Sequence, residues 1–171
     1  MALSSVTLYN ELLANVSNTI SETDAITAWA TAFDNYFQEA TAGALPVVPG
    51  STSVVGGPLD LMKLGLVGMS VAGAGAAKIV NGITQYWAGL TLPAVVATVF
   101  VAVPAALAIT PPALGTLQSA LESAFATNMA TSATKEDALN AVATAINTVQ
   151  ILGGQAVFPV PPGGIGPQNI V

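Results

Sequence analysis

The chain has 171 residues, a length typical of one domain, and 7% of them are charged, compared with about 25% in an ordinary soluble domain. It contains no Cys, no His and no Arg, and its net charge is −6. These absences exclude disulfides, thiolate and imidazole metal sites, Ser-His-Asp and Cys-His catalysis, and the basic surface that nucleic-acid binding requires. We therefore expect a protein that is not an enzyme and that has no cofactor, no metal and no nucleic-acid partner.

The first forty residues predict two amphipathic helices, because apolar side chains recur three and four positions apart. The second helix is predicted to start at Ser21–Asp24, where a hydroxyl cap precedes two carboxylates. Its aromatic stripe contains Trp29, Phe33, Tyr36 and Phe37. Core packing is the simpler interpretation of this stripe, whereas an exposed stripe would dock a partner or stack on a ligand. The N-terminus has no basic segment before an apolar stretch, so we do not expect secretion by a signal peptide.

The segment 41–58 is rich in Gly and Pro, which predicts a loop or an extended connection. Helical periodicity resumes at Leu59. The stretch Gly68–Ala77 consists mostly of small residues, so we expect it to be helical and to allow a neighbouring helix to approach closely. One apolar stripe then continues at intervals of four, through Ile79, Ile83 and Trp87.

The middle of the chain carries no charge between Ile79 and Leu121. We predict an extended segment over 90–112, with a short β element around 94–103, because β-branched residues fill the interval between Pro93 and Pro104. A span near 88–109 is also long enough to cross a bilayer, which leaves a small holin-like membrane protein as an alternative. Both prolines fall inside that span and no basic residue flanks it closely, which argues against a membrane location.

Two further helices are predicted before the C-terminal tail. Their apolar stripes are Leu114, Leu117, Leu121 and Phe125 in the first, and Leu139, Val142, Ile146 and Val149 in the second. The motif Thr134–Asp137 caps the second of these helices. The tail 155–171 is rich in Pro and Gly and is expected to be extended. The predicted fold is therefore mainly α, with a helical domain over 1–154 and an extended C-terminal arm over 155–171.

The acidic residues of the chain have structural explanations. The pairs Glu22 with Asp24 and Glu136 with Asp137 lie in predicted first turns, where the helix dipole favours negative charge. Asp34 and Glu39 are expected on a solvated polar face of the second helix. A carboxylate-only glycosidase is the third and last alternative, because such enzymes need aromatic and polar clefts and this chain is poor in polar side chains.

The low charge predicts association. A monomer of this size leaves about a third of its unfolded surface exposed. With so few charged residues, much of that surface must be apolar or weakly polar, and apolar patches on a soluble protein mark interaction sites. Extended Pro/Gly segments gain order when they lie on a neighbouring subunit. We therefore expect interfaces with other copies of the chain or with other subunits.

The sequence also resembles the small virion structural proteins of tailed bacteriophages. The resemblance is carried by Ala2–Leu13, Phe33–Phe37, Ile83–Gly89 and Ile109–Pro112, and by the Ala/Thr/Val-rich style of most of the chain. It implies a non-enzymatic particle component of the neck, tail or baseplate, present in many symmetric copies, and a capsid-associated position is equally permitted. The implied location is the virion, assembled in the host cytoplasm, and the implied partners are copies of the chain and other virion proteins.

Candidate interface residues come from three apolar segments: the aromatic stripe, the uncharged middle and the tail. They are Trp29, Phe33, Phe37, Val99, Phe100, Val101, Phe158, Val160, Ile165 and Ile170.

Overall fold

A computed structural model describes residues 3–16, 21–42, 45–46, 48, 52–53, 55–90, 108–110, 115–150, 155–158 and 165–169. Its helices are α1 (Ser5–Asn15), α2 (Glu22–Gln38), α3 (Pro58–Leu66), α4 (Gly75–Leu90), α5 (Gly115–Thr131) and α6 (Lys135–Gln150). Short strands are β1 (Thr41–Ala42), β2 (Leu45–Pro46), β3 (Ala108–Thr110), β4 (Gln155–Phe158) and β5 (Ile165–Asn169). The prediction of a mainly α fold is confirmed.

Within the described part of the chain, each helix packs against the next one in sequence, and α6 returns to pack against α1. The bundle therefore closes on itself. Its core draws side chains from all six helices, among them described members of the predicted apolar stripes. The largest fully buried side chains are Trp87, Tyr36, Tyr86, Phe33, Phe37, Leu8, Leu12, Met62, Leu66, Ile79 and Ile83.

The predicted helix starts are confirmed at α2 and α6. Ser21 Oγ accepts from the backbone N–H of Asp24 and donates to its carboxylate over 2.6 Å. Thr134 Oγ1 makes the same pair of bonds with Asp137, at 3.1 and 2.8 Å. Each hydroxyl satisfies one backbone donor of the first turn, and each carboxylate lies where the helix dipole favours it.

Helices α3 and α4 cross in direct backbone contact at two glycines. A Cβ built on Gly65 would lie 2.6 Å from the Cα of Gly82, closer than real Cβ atoms come to other atoms. Asn81 Nδ2 bonds across the crossing to the carbonyl of Gly65 over 3.1 Å. The expected close approach of two helices therefore occurs, but at Gly65 and Gly82 and not within 68–77.

The prediction that Gly68–Ala77 is one helical stretch is wrong over most of its length. Residues 67–74 form turns, and α4 begins only at Gly75. Gly68 and Gly73 have φ values of +86° and +79°, which residues with a Cβ rarely adopt and which interrupt a helix. The carboxylate of Glu22 accepts from the Gly68 N–H over 2.8 Å and ties this turn to α2.

The strands form two small antiparallel sheets. One is the hairpin β1–β2, in the segment predicted to be a loop or extended. The other has the order β3-β4-β5, with Ile109 opposite Ala156 and Phe158 opposite Ile165. The predicted β element around 94–103 lies outside the described residues, and the strand that is described begins at Ala108. At β4 the tail is extended as predicted, and it pairs with a strand of its own chain.

Candidate interface

The aromatic stripe of α2 belongs to the core, which was the simpler of its two interpretations. Phe33 and Phe37 have no accessible surface, so as candidate interface residues they are corrected to core residues. The rings of Phe37 and Trp87 lie 5.2 Å apart, and those of Phe37 and Tyr86 lie 5.1 Å apart, which joins α2 to α4. Trp29 packs 5.6 Å from Phe33 but is only partly buried, and it is the member of the stripe that reaches the surface.

The expectation that Asp34 lies on a solvated face is wrong. Its side chain is 6% exposed, and its carboxylate accepts from three neutral donors. The Tyr86 hydroxyl donates to Oδ1 over 2.7 Å, while Thr52 Oγ1 and Gln38 Nε2 donate to Oδ2, each over 2.8 Å. Thr52 is itself 3% exposed, so the bond holds the segment after β2 against the bundle. A buried carboxylate is tolerated when its oxygens are hydrogen-bonded in this way.

Burial also governs the two core tyrosines. The pKa of Tyr86 is raised far above its ordinary value, first by burial and then by the charge of Asp34 and the bond to it. Burial, and then the charge of Glu39, raises the pKa of Tyr36, whose hydroxyl donates to Asn147 Oδ1 over 2.6 Å. Both hydroxyls therefore stay protonated and act as donors that tie α2 to α4 and to α6.

Glu39 also departs from the predicted solvated face. Its Oε2 atom is buried and has no hydrogen-bond partner among the described residues, and the same is true of the indole Nε1 of Trp87. Each is a polar atom that the described part of the fold covers without a partner.

The surface around Trp29 contains an apolar groove of about 630 Å³. Its walls come from α2, the turn after α3, the start of α4, the C-terminal half of α5 and the start of α6. The largest apolar side chains that line it are Trp29, Met69, Val71, Ile79, Phe125 and Met129. Glu122 is the single charged residue in the lining, and the Nδ2 atom of Asn128 is buried there without a partner in the described structure. We call this surface the groove face.

A second, smaller hollow of about 390 Å³ lies between α2 and α3. It is lined by Ile26, Leu64 and Val67 together with the Asp60–Lys63 ion pair. Val71 and Met129 in the groove are 61% and 83% exposed, and Leu64 and Val67 in the hollow are 67% and 52% exposed. Exposed apolar side chains gathered around a hollow are a feature of interaction surfaces, which makes the groove and the hollow the candidate interfaces of the described structure.

The other predicted interface residues are distributed as follows. Phe158 and Ile165 are paired neighbours in β4 and β5. The remaining candidates lie outside the described residues: Val99, Phe100, Val101, Val160 and Ile170. The groove face was missed because Gly68–Ala77 was predicted to continue as a helix, which hides the turn that forms one of its walls.

Within the described ranges, no group of three or more acidic side chains is placed to hold a metal ion. None of the helices described is both long and apolar enough to cross a membrane. No protein-family model, no curated protein and no solved structure matches the chain.

Proposed function

We propose that this protein is a structural subunit of a large symmetric assembly, most readily a component of the neck, tail or baseplate of a tailed-phage virion. The observation that carries the proposal is the groove face, where apolar side chains such as Val71 and Met129 are exposed to water. Exposure of apolar surface is unfavourable, and assembly removes this penalty because subunit interfaces bury such side chains much as a protein core does.

The charge distribution supports the same function. Seven per cent of the chain is charged, and the groove lining holds the single carboxylate of Glu122. A surface with so few charges loses little hydration when another subunit covers it. The resemblance of the sequence to small virion structural proteins points to the type of assembly.

The chemistry of the buried polar groups supports a structural role. Asp34 is the carboxylate most enclosed by the fold, and Tyr86, Thr52 and Gln38 donate to it. A general acid or base must reach a substrate proton. A side chain that is 6% exposed and already binds three internal donors serves the packing of α2 against α4.

The uncharged run from Ile79 to Leu121 favours a second candidate, a holin-like membrane protein. Most of its span near 88–109 lies outside the described residues. The two candidates differ in where the protein is found during infection, because a virion subunit sediments with particles and a holin with the host membrane.

Fractionation of infected cells tests the proposal. Lysates are cleared, particles are banded on a density gradient and washed with detergent, and the protein is quantified in particle, membrane and soluble fractions. We expect it in detergent-washed particles. Its recovery in the membrane pellet alone would replace the proposal with the holin alternative, and its absence from both would reject both functions.

A further inference from the structure

Asn81 and Gly82 form the one Asn–Gly pair in the chain, and every other asparagine is followed by a residue that has a side chain. An Asn–Gly pair is prone to deamidation, because glycine has no Cβ to hinder the approach of its backbone nitrogen to the asparagine carboxamide. The pair lies in the interior of α4, at the point where this helix touches α3. A reactive pair therefore lies at the crossing of two helices.

The folded structure keeps this pair from reacting in three ways. The Gly82 N–H lies inside α4, where it donates to the backbone carbonyl four residues earlier. The Asn81 amide donates to the Gly65 carbonyl over 3.1 Å, which directs the carboxamide towards α3. A Cβ on Gly65 would lie 2.8 Å from Gly82 N and 2.9 Å from the carbonyl carbon of Asn81, so α3 packs directly against this peptide. Ring closure requires the peptide to rotate out of the helical conformation, which this packing prevents.

We propose that Asn81–Gly82 is a latent deamidation site that stays unreacted while α3 and α4 are in contact and reacts when they separate. The Gly82 nitrogen then bonds to Cγ of Asn81, the Cγ–Nδ2 bond breaks, and ammonia leaves with the proton of the Gly82 N–H. Water opens the resulting succinimide ring and gives an aspartyl or isoaspartyl residue at position 81. Water is the only co-reactant, so the reaction needs no enzyme and no cofactor.

Neither product restores the crossing. An aspartyl carboxylate has no N–H to donate, so it places an acceptor against the Gly65 carbonyl. An isoaspartyl residue adds a carbon atom to the backbone, which displaces the helix where Gly82 packs against Gly65. A chain that deamidates while α4 is open therefore cannot return to the native contact. This property of the chain does not depend on the proposed function.

Comparison of the folded and the unfolded chain tests the site. The purified full chain is incubated at mildly alkaline pH with and without guanidinium, and peptide mapping by mass spectrometry follows each asparagine. In guanidinium, Asn81 should react before the other asparagines. In the folded chain it should react more slowly by about a hundredfold or more, because the open state is rarely populated. Equal rates in the two conditions would overturn the proposal, and this comparison needs no variant.

Gly65→Ala tests the role of the helix contact, because its methyl group pushes α3 away from Gly82. The open state becomes more populated, and deamidation of Asn81 in the folded protein should be faster by about 5–30-fold. Gly75→Ala, whose Cβ meets Phe125 at an ordinary 3.5 Å, is the matched control and should react at the wild-type rate. A Gly65→Ala protein that is folded by circular dichroism and still deamidates at the wild-type rate would contradict protection by the contact.

Asn81→Asp reproduces the aspartyl product and tests whether the crossing tolerates it. We expect this variant to unfold at a lower guanidinium concentration than wild type. Asn140→Asp makes the same change at an exposed position of α6 and, as the matched control, should unfold close to the wild-type midpoint. Wild-type chain that has been deamidated in guanidinium, and is then separated by its extra negative charge, should also refold to a less stable state. A deamidated chain as stable as wild type would overturn the claim that the products prevent closure.

Discussion

Replacing Gly65 with Ala tests the backbone contact at the crossing of α3 and α4. The new methyl carbon would lie 2.6 Å from Gly82 Cα and 2.8 Å from Gly82 N, about 0.8 Å short of the 3.4 Å at which ordinary contact begins. These are backbone atoms, so no change of rotamer relieves the overlap and α3 must move away from α4. Crowding of this kind costs about 1–3 kcal/mol.

The intrinsic helix preference acts in the opposite direction, because Ala stabilises a helix interior by about 1 kcal/mol relative to Gly. Since the overlap involves backbone, we take the upper part of the crowding range. Gly65→Ala should then lower the free energy of unfolding by about 1–2 kcal/mol. In Gly82→Ala the nearest atoms are Cγ and Cδ2 of the buried Leu66 side chain, at 2.9 and 3.0 Å, followed by the Met62 carbonyl oxygen at 3.3 Å, so the backbone overlap is smaller than in Gly65→Ala and the cost should be lower.

Guanidinium denaturation followed by circular dichroism measures these differences, with an unchanged m value showing that the unfolding transition is the same. Gly75→Ala is the matched control, because its Cβ meets Phe125 at an ordinary 3.5 Å. We expect the control to be as stable as wild type and Gly65→Ala to be the least stable of the three variants. A Gly65→Ala protein as stable as the control would refute the proposed backbone contact.

Four further changes test the buried polar groups and the tail. Asp34→Ala leaves three donors without their acceptor and should lower the free energy of unfolding by about 3 kcal/mol or more. Thr52→Val removes one of these donors and should lower it by about 1–2 kcal/mol, measured in the same denaturation assay. The raised pKa values of Tyr36 and Tyr86 make both side chains stabilising below the ordinary tyrosine value of 10.0, and this contribution is lost as the pH rises above it. The free energy of unfolding should therefore fall as the pH rises above about 10. The fall should be less steep in Tyr86→Phe than in the wild type, and equal pH dependence in the two proteins would contradict the assignment of the effect to Tyr86. Deletion of 155–171 should lower incorporation into particles more than thermal stability, and wild-type incorporation of the truncated chain would exclude a role of the tail in assembly.

The elements that could be predicted from the sequence are those fixed by neighbouring residues. The caps at Ser21 and Thr134 use a hydroxyl and a carboxylate three positions apart, so a short window contains the whole interaction. The stripe Ile79, Ile83 and Trp87 is buried as its spacing predicts. In each case the residues that the local sequence pattern favours at a position are also the residues that the packed fold needs there.

The buried position of Asp34 could not be inferred from residue type, because an acidic residue in an amphipathic helix normally faces water. Its partners Thr52 and Tyr86 lie 18 and 52 positions away in the sequence. One signal was present: Asp34 is four residues after Ala30 and three before Phe37, which is the spacing of the buried face itself. A carboxylate on an apolar stripe indicates an internal hydrogen-bond network.

The groove face depends on the meeting of distant segments. Its walls join Trp29 of α2, the turn from Met69 to Gly73, and α5, where Phe125 of the predicted apolar stripe reaches the groove. The stripe predicts the buried residues Leu117 and Leu121 correctly, but it gives no information about which distant segment lies beside Phe125. The glycines at 68 and 73, which break the helix and create the turn, were interpreted as sites of helix packing.

The number of copies of this protein in each particle tests the central claim most directly. Quantitative mass spectrometry of gradient-purified, detergent-washed particles gives that number. The standards are isotope-labelled peptides of this chain and of a structural protein of known copy number. We expect several copies per particle, the same in independent preparations, as a symmetric assembly requires. Less than one copy per particle, or a number that falls with each wash, would contradict a structural role in the virion.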